Sequence, residues 1–269
     1  MAHRGECIQL SQPFQAVSAG GAHACGAYVD GGLFCDASDD EALNGDFDGV
    51  AVSAGALHTC AILEDTSVAC WGVEGVAPEP EETGWMAVSA GQDFSCGLRD
   101  GAITCWGQEA PQPDESGTTW IGLSAGDHHV CAVDGAGGLS CWGQDDYGQS
   151  TPPEEPTLVA VSAGGLHTCG LDSEGQVHCW GMQDGTAADY GQVSETPVLE
   201  SKAVQISAGR RHTCALSEDG ALTCWGSDVF GQSTPAEADW ARVSAGAMLS
   251  CGLTTWGDVA CWGLFEGVL

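Results

Sequence analysis

Basic residues are scarce in this chain, and their scarcity excludes partners that need a positively charged surface. The sequence has 6 lysines and arginines against 38 aspartates and glutamates, a net charge of −32, and Lys202 is its only lysine. Such a surface repels the phosphates of nucleic acids and the head groups of anionic lipids. We therefore expect no nucleic-acid partner. The acidity is interpreted either as a solubility feature or as steering of a basic partner.

Long apolar segments are also missing. No apolar run approaches the length of a membrane span, so we expect no membrane insertion. The first residues, "MAHRGECIQLSQ", lack the apolar centre of a secretory signal peptide. Fifteen cysteines in 269 residues is nevertheless a high content for a cytosolic protein. We therefore expect an extracellular, periplasmic or cell-surface location, with the export signal outside this sequence.

Recognisable catalytic motifs are absent as well. The sequence contains no serine elbow, phosphate-binding loop or zinc motif. The acidic stretch over residues 36–48 does not have the spacing of an EF-hand, which favours a solvated loop over a calcium site. His128 and His178 are single-copy histidines with no evident nucleophile beside them. We therefore predict that the chain is not an enzyme and has no catalytic residues, cofactor or metal ion.

The sequence does contain one pattern seven times. A Ser-Ala-Gly triplet recurs at spacings of 35 to 45 residues, beginning at Ser18, Ser53, Ser89, Ser124, Ser162, Ser207 and Ser244. A cysteine follows each serine by seven residues, and a second cysteine comes nine or ten residues later. This regularity predicts a repeat architecture. We assign a single domain over 1–269, with repeats starting near residues 14, 49, 85, 120, 158, 203 and 240.

The two cysteines of a repeat are predicted to face each other across a hairpin. Cys214 and Cys224 are symmetric about Asp219, and Cys96 and Cys105 flank the turn Asp100-Gly101. Opposed side chains of this kind lie at a distance that a disulfide can span. A metal site would need four ligands, and a redox pair favours Cys-x-x-Cys near a helix, which is absent.

We therefore predict one disulfide in each repeat. The pairs are Cys25–Cys35, Cys60–Cys70, Cys96–Cys105, Cys131–Cys141, Cys169–Cys179, Cys214–Cys224 and Cys251–Cys261. Cys7 is left over. A histidine precedes the first cysteine in five repeats, and Phe94 and Leu249 replace it in the other two. Since the cysteine pairs persist without it, this histidine is interpreted as a buried hydrogen-bonding residue between repeats.

The residue pattern of each repeat predicts four short strands, namely a small-residue inner strand, a hairpin pair and a proline-bearing outer strand. This arrangement is typical of a propeller blade. Small side chains suit the place where seven inner strands converge. The residues before Ser18 and after Cys261 together supply one complete connection between repeats. We therefore predict an all-β, closed seven-bladed propeller with four-stranded blades, whose N-terminal segment completes the last blade.

The pattern "VSAGxxHTCALxxDGxLTCWGxxxxGQSTP" resembles the repeat of the regulator-of-chromosome-condensation family over essentially the whole chain. The resemblance implies a seven-bladed propeller, and the cysteine-paired version is similar to repeats of secreted bacterial proteins. The connection "GQSTPAEAD" is similar to that of a secreted β-lactamase inhibitor of this fold. In that inhibitor the residues just after each Ala-Gly bind the partner enzyme.

The equivalent positions here differ between repeats, whereas their neighbours hold constant. The candidate binding residues are Leu57, Asp93, His128, Leu166, Arg210, Arg211 and Met248. In a propeller these residues would ring one mouth of the central channel, which predicts that another protein binds there. We also expect the chain to be a monomer. Two alternatives remain open. One is a lectin-like protein that stacks sugars on Trp85, Trp120 and Trp240, and the other is a structural surface protein linked through Cys7 or the acidic loops.

Overall fold

The chain folds into seven small antiparallel sheets, one for each repeat, arranged as the blades of a propeller. The structure is a computed structural model. It describes residues 13–37, 49–72, 82–113, 117–186 and 188–264. Each blade has three strands in the order inner, middle, outer, and no sheet is shared between two blades among these residues.

The strands repeat with nearly constant length in all blades. The inner strands are β1 (Phe14–Ala19), β4 (Gly49–Ala54), β7 (Trp85–Ala90), β10 (Trp120–Ala125), β13 (Leu158–Ala163), β16 (Ala203–Ala208) and β19 (Trp240–Ala245). The middle strands are β2 (His23–Tyr28), β5 (His58–Leu63), β8 (Phe94–Arg99), β11 (His129–Asp134), β14 (His167–Asp172), β17 (His212–Ser217) and β20 (Leu249–Thr254). The outer strands are β3 (Leu33–Ala37), β6 (Val68–Gly72), β9 (Ala102–Gly107), β12 (Leu139–Gly143), β15 (Val177–Gly181), β18 (Leu222–Gly226) and β21 (Val259–Gly263).

The predicted hairpins and disulfides are confirmed. In blade 6 Cys214 lies directly opposite Cys224, and Gly220 in the turn takes the left-handed conformation with φ of 84°. All seven expected pairs are bonded, with Cα–Cα distances of 4.0 to 4.1 Å. The seven disulfides thus staple the middle strand of each blade to its outer strand.

The prediction of a fourth strand is wrong, because the described blades have three. The segment that follows blade 4 shows the reason. Asp145 accepts hydrogen bonds from the backbone N–H of Ser150 and from the hydroxyl of Thr151, both at 2.7 Å. These local bonds fold "DDYGQST" into a compact turn, where its backbone needs no neighbouring strand. The N-terminal segment expected to complete the last blade, with Cys7, lies outside the described residues.

The blades join through their Ser-Ala-Gly triplets. In every blade the serine hydroxyl accepts a hydrogen bond of 2.8 to 3.0 Å from the alanine N–H of the next triplet. Ser244 of blade 7 accepts from Ala19 of blade 1, so the seven bonds form a continuous ring. A Cβ on Gly20 would lie only 2.5 Å from the carbonyl oxygen of Gly55, which explains why glycine ends the triplet.

Apolar cores lie between neighbouring blades rather than within one. The cluster between blades 3 and 4, for example, contains Leu98 and Ile103 from one side and Trp120 and Ala132 from the other. A smaller cluster joins Leu249 of blade 7 to the first blade, where the ring meets itself. Four of the tryptophans that follow the second cysteine belong to these clusters, namely Trp106, Trp142, Trp225 and Trp262. Trp180, Trp225 and Trp262 are buried.

The five repeated histidines are buried hydrogen-bonding residues between blades, as predicted. Each Nε2 lies 2.7 to 2.8 Å from a hydroxyl on the next blade, in the pairs His23–Thr59, His58–Ser95, His129–Thr168, His167–Thr213 and His212–Ser250. At the two other interfaces both positions are apolar. Phe94 packs in one cluster with Val130, and Leu249 packs in another with Ala24. The residue on each blade is therefore matched to the residue on the next.

Burial keeps these histidines neutral. It lowers the pKa of His23, His58, His129 and His212 to about 4, and that of His167 to about 3. The Ser250 hydroxyl donates to the carbonyl of Gln232 at 3.0 Å, so it must accept from the Nε2–H of His212. The histidine–hydroxyl pairs are thus neutral structural links between blades.

Candidate functional site

The central channel leads to the candidate site. Its cavity of about 160 Å³ is lined by all seven Ser-Ala-Gly triplets. At one end it is bordered by residues that directly follow a triplet, among them Asp127, Arg210 and Ala247. Each inner strand therefore delivers its variable loop residues to this mouth, where side chains of different blades can meet.

The structure places five of the seven predicted residues around two adjoining grooves at this mouth. Asp93 and His128 line a groove of about 690 Å³ between blades 3 and 4. His128, Leu166, Arg210 and Arg211 line a second groove of about 240 Å³ over blades 4, 5 and 6, together with Asp127, Gln144, Asp146 and Tyr147. These eight residues are called the rim groove below.

The two other predicted residues stand apart. Leu57 on blade 2 is half exposed, and Met248 on blade 7 is partly buried. Neither lines one of these two grooves. Of the seven predicted binding residues, the five on blades 3 to 6 therefore lie together, and the two on blades 2 and 7 lie apart from them.

An ion pair spans the rim groove. The Nε of Arg210 lies 3.0 Å from Oδ2 of Asp127, two blades away. Gly165 on the intervening blade permits this approach, because a Cβ there would lie 2.5 Å from the Arg210 carbonyl oxygen. Burial raises the pKa of Asp127, and the nearby Arg210 guanidinium opposes that rise. The pair is partly desolvated and fixes both side chains in the wall of the groove.

Arg211 is the second arginine of the rim groove. Its guanidinium lies 5.3 Å from the ring centroid of Tyr190 and donates a hydrogen bond of 3.2 Å to the Tyr190 hydroxyl. Among the described residues no carboxylate lies within 4.0 Å of it, unlike Arg210 and Arg99. The arginine is thus held by an aromatic ring while its charge stays available to a ligand.

Sequence reasoning missed the aromatic residues of this mouth. Tyr147, Tyr190 and Phe230 each stand before a Gly-Gln pair, and the buried glutamine accepts a hydrogen bond from the aromatic residue's own backbone N–H at 2.7 to 2.9 Å. The backbone carbonyls of the same glutamines accept hydrogen bonds from the indole N–H of Trp180, Trp225 and Trp262 on the next blade. The recurring aromatic-Gly-Gln signal was visible in the sequence, but its position beside the next blade's loop was not.

The tryptophans proposed for sugar stacking are covered. Trp85, Trp120 and Trp240 are buried, and each packs near the tryptophan that follows the second cysteine of its own blade at 5.5 to 6.1 Å. Their rings cannot stack on a glycan without unpacking the blade. The lectin-like alternative therefore loses the residues on which it rested.

The described ranges hold no metal-binding cluster and no membrane-spanning helix. Three or more histidine, cysteine or carboxylate side chains suitably placed around a metal ion were not found there. Nor does any helix of that part of the chain have the length and apolarity needed to cross a membrane.

Two of the seven repeats are similar to a known family. The family described as "Regulator of chromosome condensation (RCC1) repeat" matches residues 158–192 and 203–232, in blades 5 and 6. No curated protein sequence matches the chain.

Solved structures share its propeller fold. The CRINKLY ectodomain of the Arabidopsis thaliana receptor kinase ACR4 is 24% identical, with a TM-score of 0.77 over 96% of this chain and 99% of its own. The ectodomain of the Physcomitrella patens receptor kinase CR4 is 23% identical, with a TM-score of 0.77 over 94% and 74%. Prp20p from Saccharomyces cerevisiae is 15% identical, with a TM-score of 0.69 over 92% and 81%.

Proposed function

We propose that this chain, a propeller of RCC1-like repeats, is an extracellular protein-binding module that engages its partner through the rim groove. The observation that carries the proposal is the convergence of non-repeating side chains there. Leu166, Arg210 and Arg211 come from loops whose surroundings otherwise repeat, and two of the chain's six basic residues meet at this point. A frame that repeats seven times needs no such asymmetry for its own stability.

The disulfides support the extracellular location. Seven bonds stabilise a chain of 269 residues, and six of the first cysteines are fully buried. Disulfides persist in oxidising compartments and are rare in the cytosol. The likeness to two receptor-kinase ectodomains agrees with this location.

The chemistry of the groove fits a protein ligand with a carboxylate beside an apolar side chain. Arg211 offers a guanidinium that forms no ion pair among the described residues, while Leu166 and the partly exposed Tyr147 offer apolar surface next to it. Arginine and tyrosine are enriched among residues that dominate binding energy. On this proposal the module is monomeric and non-enzymatic and binds no nucleic acid.

The test compares two matched variants. The protein is immobilised in its oxidised form and exposed to secreted and surface fractions, and a captured protein is purified for affinity measurement. Leu166→Asp with Arg211→Glu should weaken that affinity at least tenfold. Lys202→Glu with Val198→Asp makes the same change of charge and polarity at exposed positions away from the grooves, and should leave the affinity within twofold.

A third variant separates the groove from the whole ring. Leu57→Asp with Met248→Asp alters only the two predicted residues outside the grooves, so the affinity should stay close to that of the parent. Equal losses in this variant and in the Leu166/Arg211 variant would refute the groove as the site. Unchanged binding by the Leu166/Arg211 variant would refute the proposed function at this mouth.

A further inference from the structure

The end of the propeller opposite the rim groove has its own repeated irregularity. Every inner strand shifts register between its first and third residues, so the second residue is left unpaired in a β-bulge. Since the Ser-Ala-Gly triplet ends each inner strand at the rim-groove mouth, the bulge at its start lies at the other end. Seven bulge residues therefore encircle that end.

Most of these bulge residues are large and apolar, although they face solvent. Five of them are 51% to 61% exposed, namely Val50, Met86, Ile121, Val159 and Val204. Single exposed apolar residues are common on protein surfaces, but repetition at one structural position on five successive blades is not. The register shift turns outward a side chain that a regular strand would pair.

The hairpin turns lie at the same end and supply the surrounding charge. The turn of one blade accepts a backbone hydrogen bond from the start of the next inner strand, as in Trp85 N–H to Thr66 O at 3.0 Å and Trp120 N–H to Gly101 O at 2.9 Å. These turns carry exposed or partly exposed carboxylates, among them Asp30, Asp65, Asp100, Glu174, Asp219 and Asp258. Trp256, 81% exposed, stands in the turn of blade 7. The five apolar bulge residues and the seven turns are called the basal face.

Three basic residues lie on or beside the basal face, and one of them, the exposed Arg242, follows the bulge of blade 7. Arg99, at the start of the blade 3 turn, is paired with Glu82. Lys202 lies beside the blade 6 turn, where its carbonyl accepts the N–H of Glu218 at 2.8 Å. The face is thus apolar at its centre and acidic at its edge. With the whole chain at −32, a second copy and an anionic membrane would both be repelled.

We propose that the basal face is a second interaction surface and that it docks a cationic amphipathic segment of a protein partner. Apolar side chains of the segment cover the bulge residues, and its lysines and arginines meet the turn carboxylates. The proposal is independent of the rim groove, which lies at the other end of the channel. A molecule with two such ends can connect two different partners.

The test uses a defined probe, a dye-labelled 18-residue helical peptide with leucine on one face and lysine on the other. Its fluorescence anisotropy is measured with the full oxidised chain in 0.15 M salt. The parent should bind it, and Met86→Asp with Ile121→Asp and Val159→Asp should weaken binding at least tenfold. Leu57→Asp with Val198→Asp and Val229→Asp adds the same charge at exposed apolar positions elsewhere and should change binding less than threefold.

Two further peptides separate the chemistry. Replacing leucine by alanine keeps the charge and should abolish the difference between the two variants, while replacing lysine by glutamate should abolish binding. Equal losses in both triple variants, or no binding by the parent, would overturn the proposal. So would parent dimers that the basal variant abolishes, or parent binding to phosphatidylcholine vesicles. The Leu166/Arg211 variant should bind the peptide like the parent, so the two proposals can fail separately.

Discussion

The link between His212 and Ser250 makes folding stability depend on pH. The imidazole of His212 has a pKa of about 4 in the folded protein, against an ordinary value of 6.5, because burial disfavours its charged form. As pH falls below 6.5 the unfolded chain therefore takes up a proton that the folded chain refuses. The contribution of the neutral His212 to the free energy of unfolding is therefore complete above pH 6.5 and is lost as the pH falls towards 4.

The expected size follows from the pKa difference. A shift of about 2.5 units at about 1.36 kcal/mol per unit gives about 3 kcal/mol for this one histidine between pH 7 and pH 4. The variant His212→Leu with Ser250→Ala copies the Leu249–Ala24 interface that the molecule already builds. It should flatten the pH dependence by about that amount. Ser250→Ala alone should cost about 1–3 kcal/mol at pH 7, since it leaves a buried N–H without an acceptor.

Urea unfolding at fixed salt with intact disulfides measures this difference, because urea is uncharged and does not screen the acidic surface. Parent and double variant are compared from pH 7 to pH 4, and NMR follows the ring proton of His212 directly. A His212 pKa near 6.5 in the folded parent would refute the reasoning. An unchanged pH dependence in the double variant would do so as well.

Two other predictions concern the frame. Gly164→Ala should lower the unfolding free energy by about 1–3 kcal/mol, because the new Cβ would meet the Gly209 carbonyl and lie 2.7 Å from Cε1 of His167. Gly135→Ala, which meets nothing closer than 3.9 Å, is the control and should change it by less than about 0.5 kcal/mol in urea unfolding. Cys169→Ala with Cys179→Ala should cost at most about 3 kcal/mol, since the closed loop is short. Far-ultraviolet circular dichroism should stay unchanged, and loss of the strand signal would contradict the view that the ladder forms the blade and the disulfide only stabilises it.

The repeat and its disulfides could be predicted because they depend on local geometry. Side chains alternate along a strand with a period of two, so two cysteines symmetric about a turn must face each other. Cys96 and Cys105 are one residue closer in sequence than the other pairs, and their shorter turn restores the same opposition. The role of the histidines could be predicted because the cysteine pairs persist where Phe94 and Leu249 replace the histidine, which therefore is not a required metal ligand.

The fourth strand and the site composition could not be predicted in the same way. The turn after blade 4 depends on the Asp145 side chain, which caps a backbone N–H five residues away. This local bond competes with strand pairing, and nothing in the sequence indicates which of the two prevails. The rim groove depends on contacts between blades. Asp127 meets Arg210 only because the blades curve around an axis and Gly165 leaves room between them. No periodicity within one repeat encodes that approach.

The matched residues between blades also restrict how such a ring can grow. In blades 2, 5 and 6 a hydroxyl contacts the histidine of one neighbour, and the blade's own histidine contacts the hydroxyl of the other neighbour. A copy of any of these blades could therefore be inserted beside the original without leaving an unmatched group. At the other two interfaces the contact is apolar, with Phe94 of blade 3 packed on blade 4 and Leu249 of blade 7 packed on blade 1. The ring thus consists of two arcs, of three and four blades, each with its own first and last unit. Gene duplication or laboratory shuffling would preserve every interface only by lengthening an arc internally or by exchanging units of the same kind.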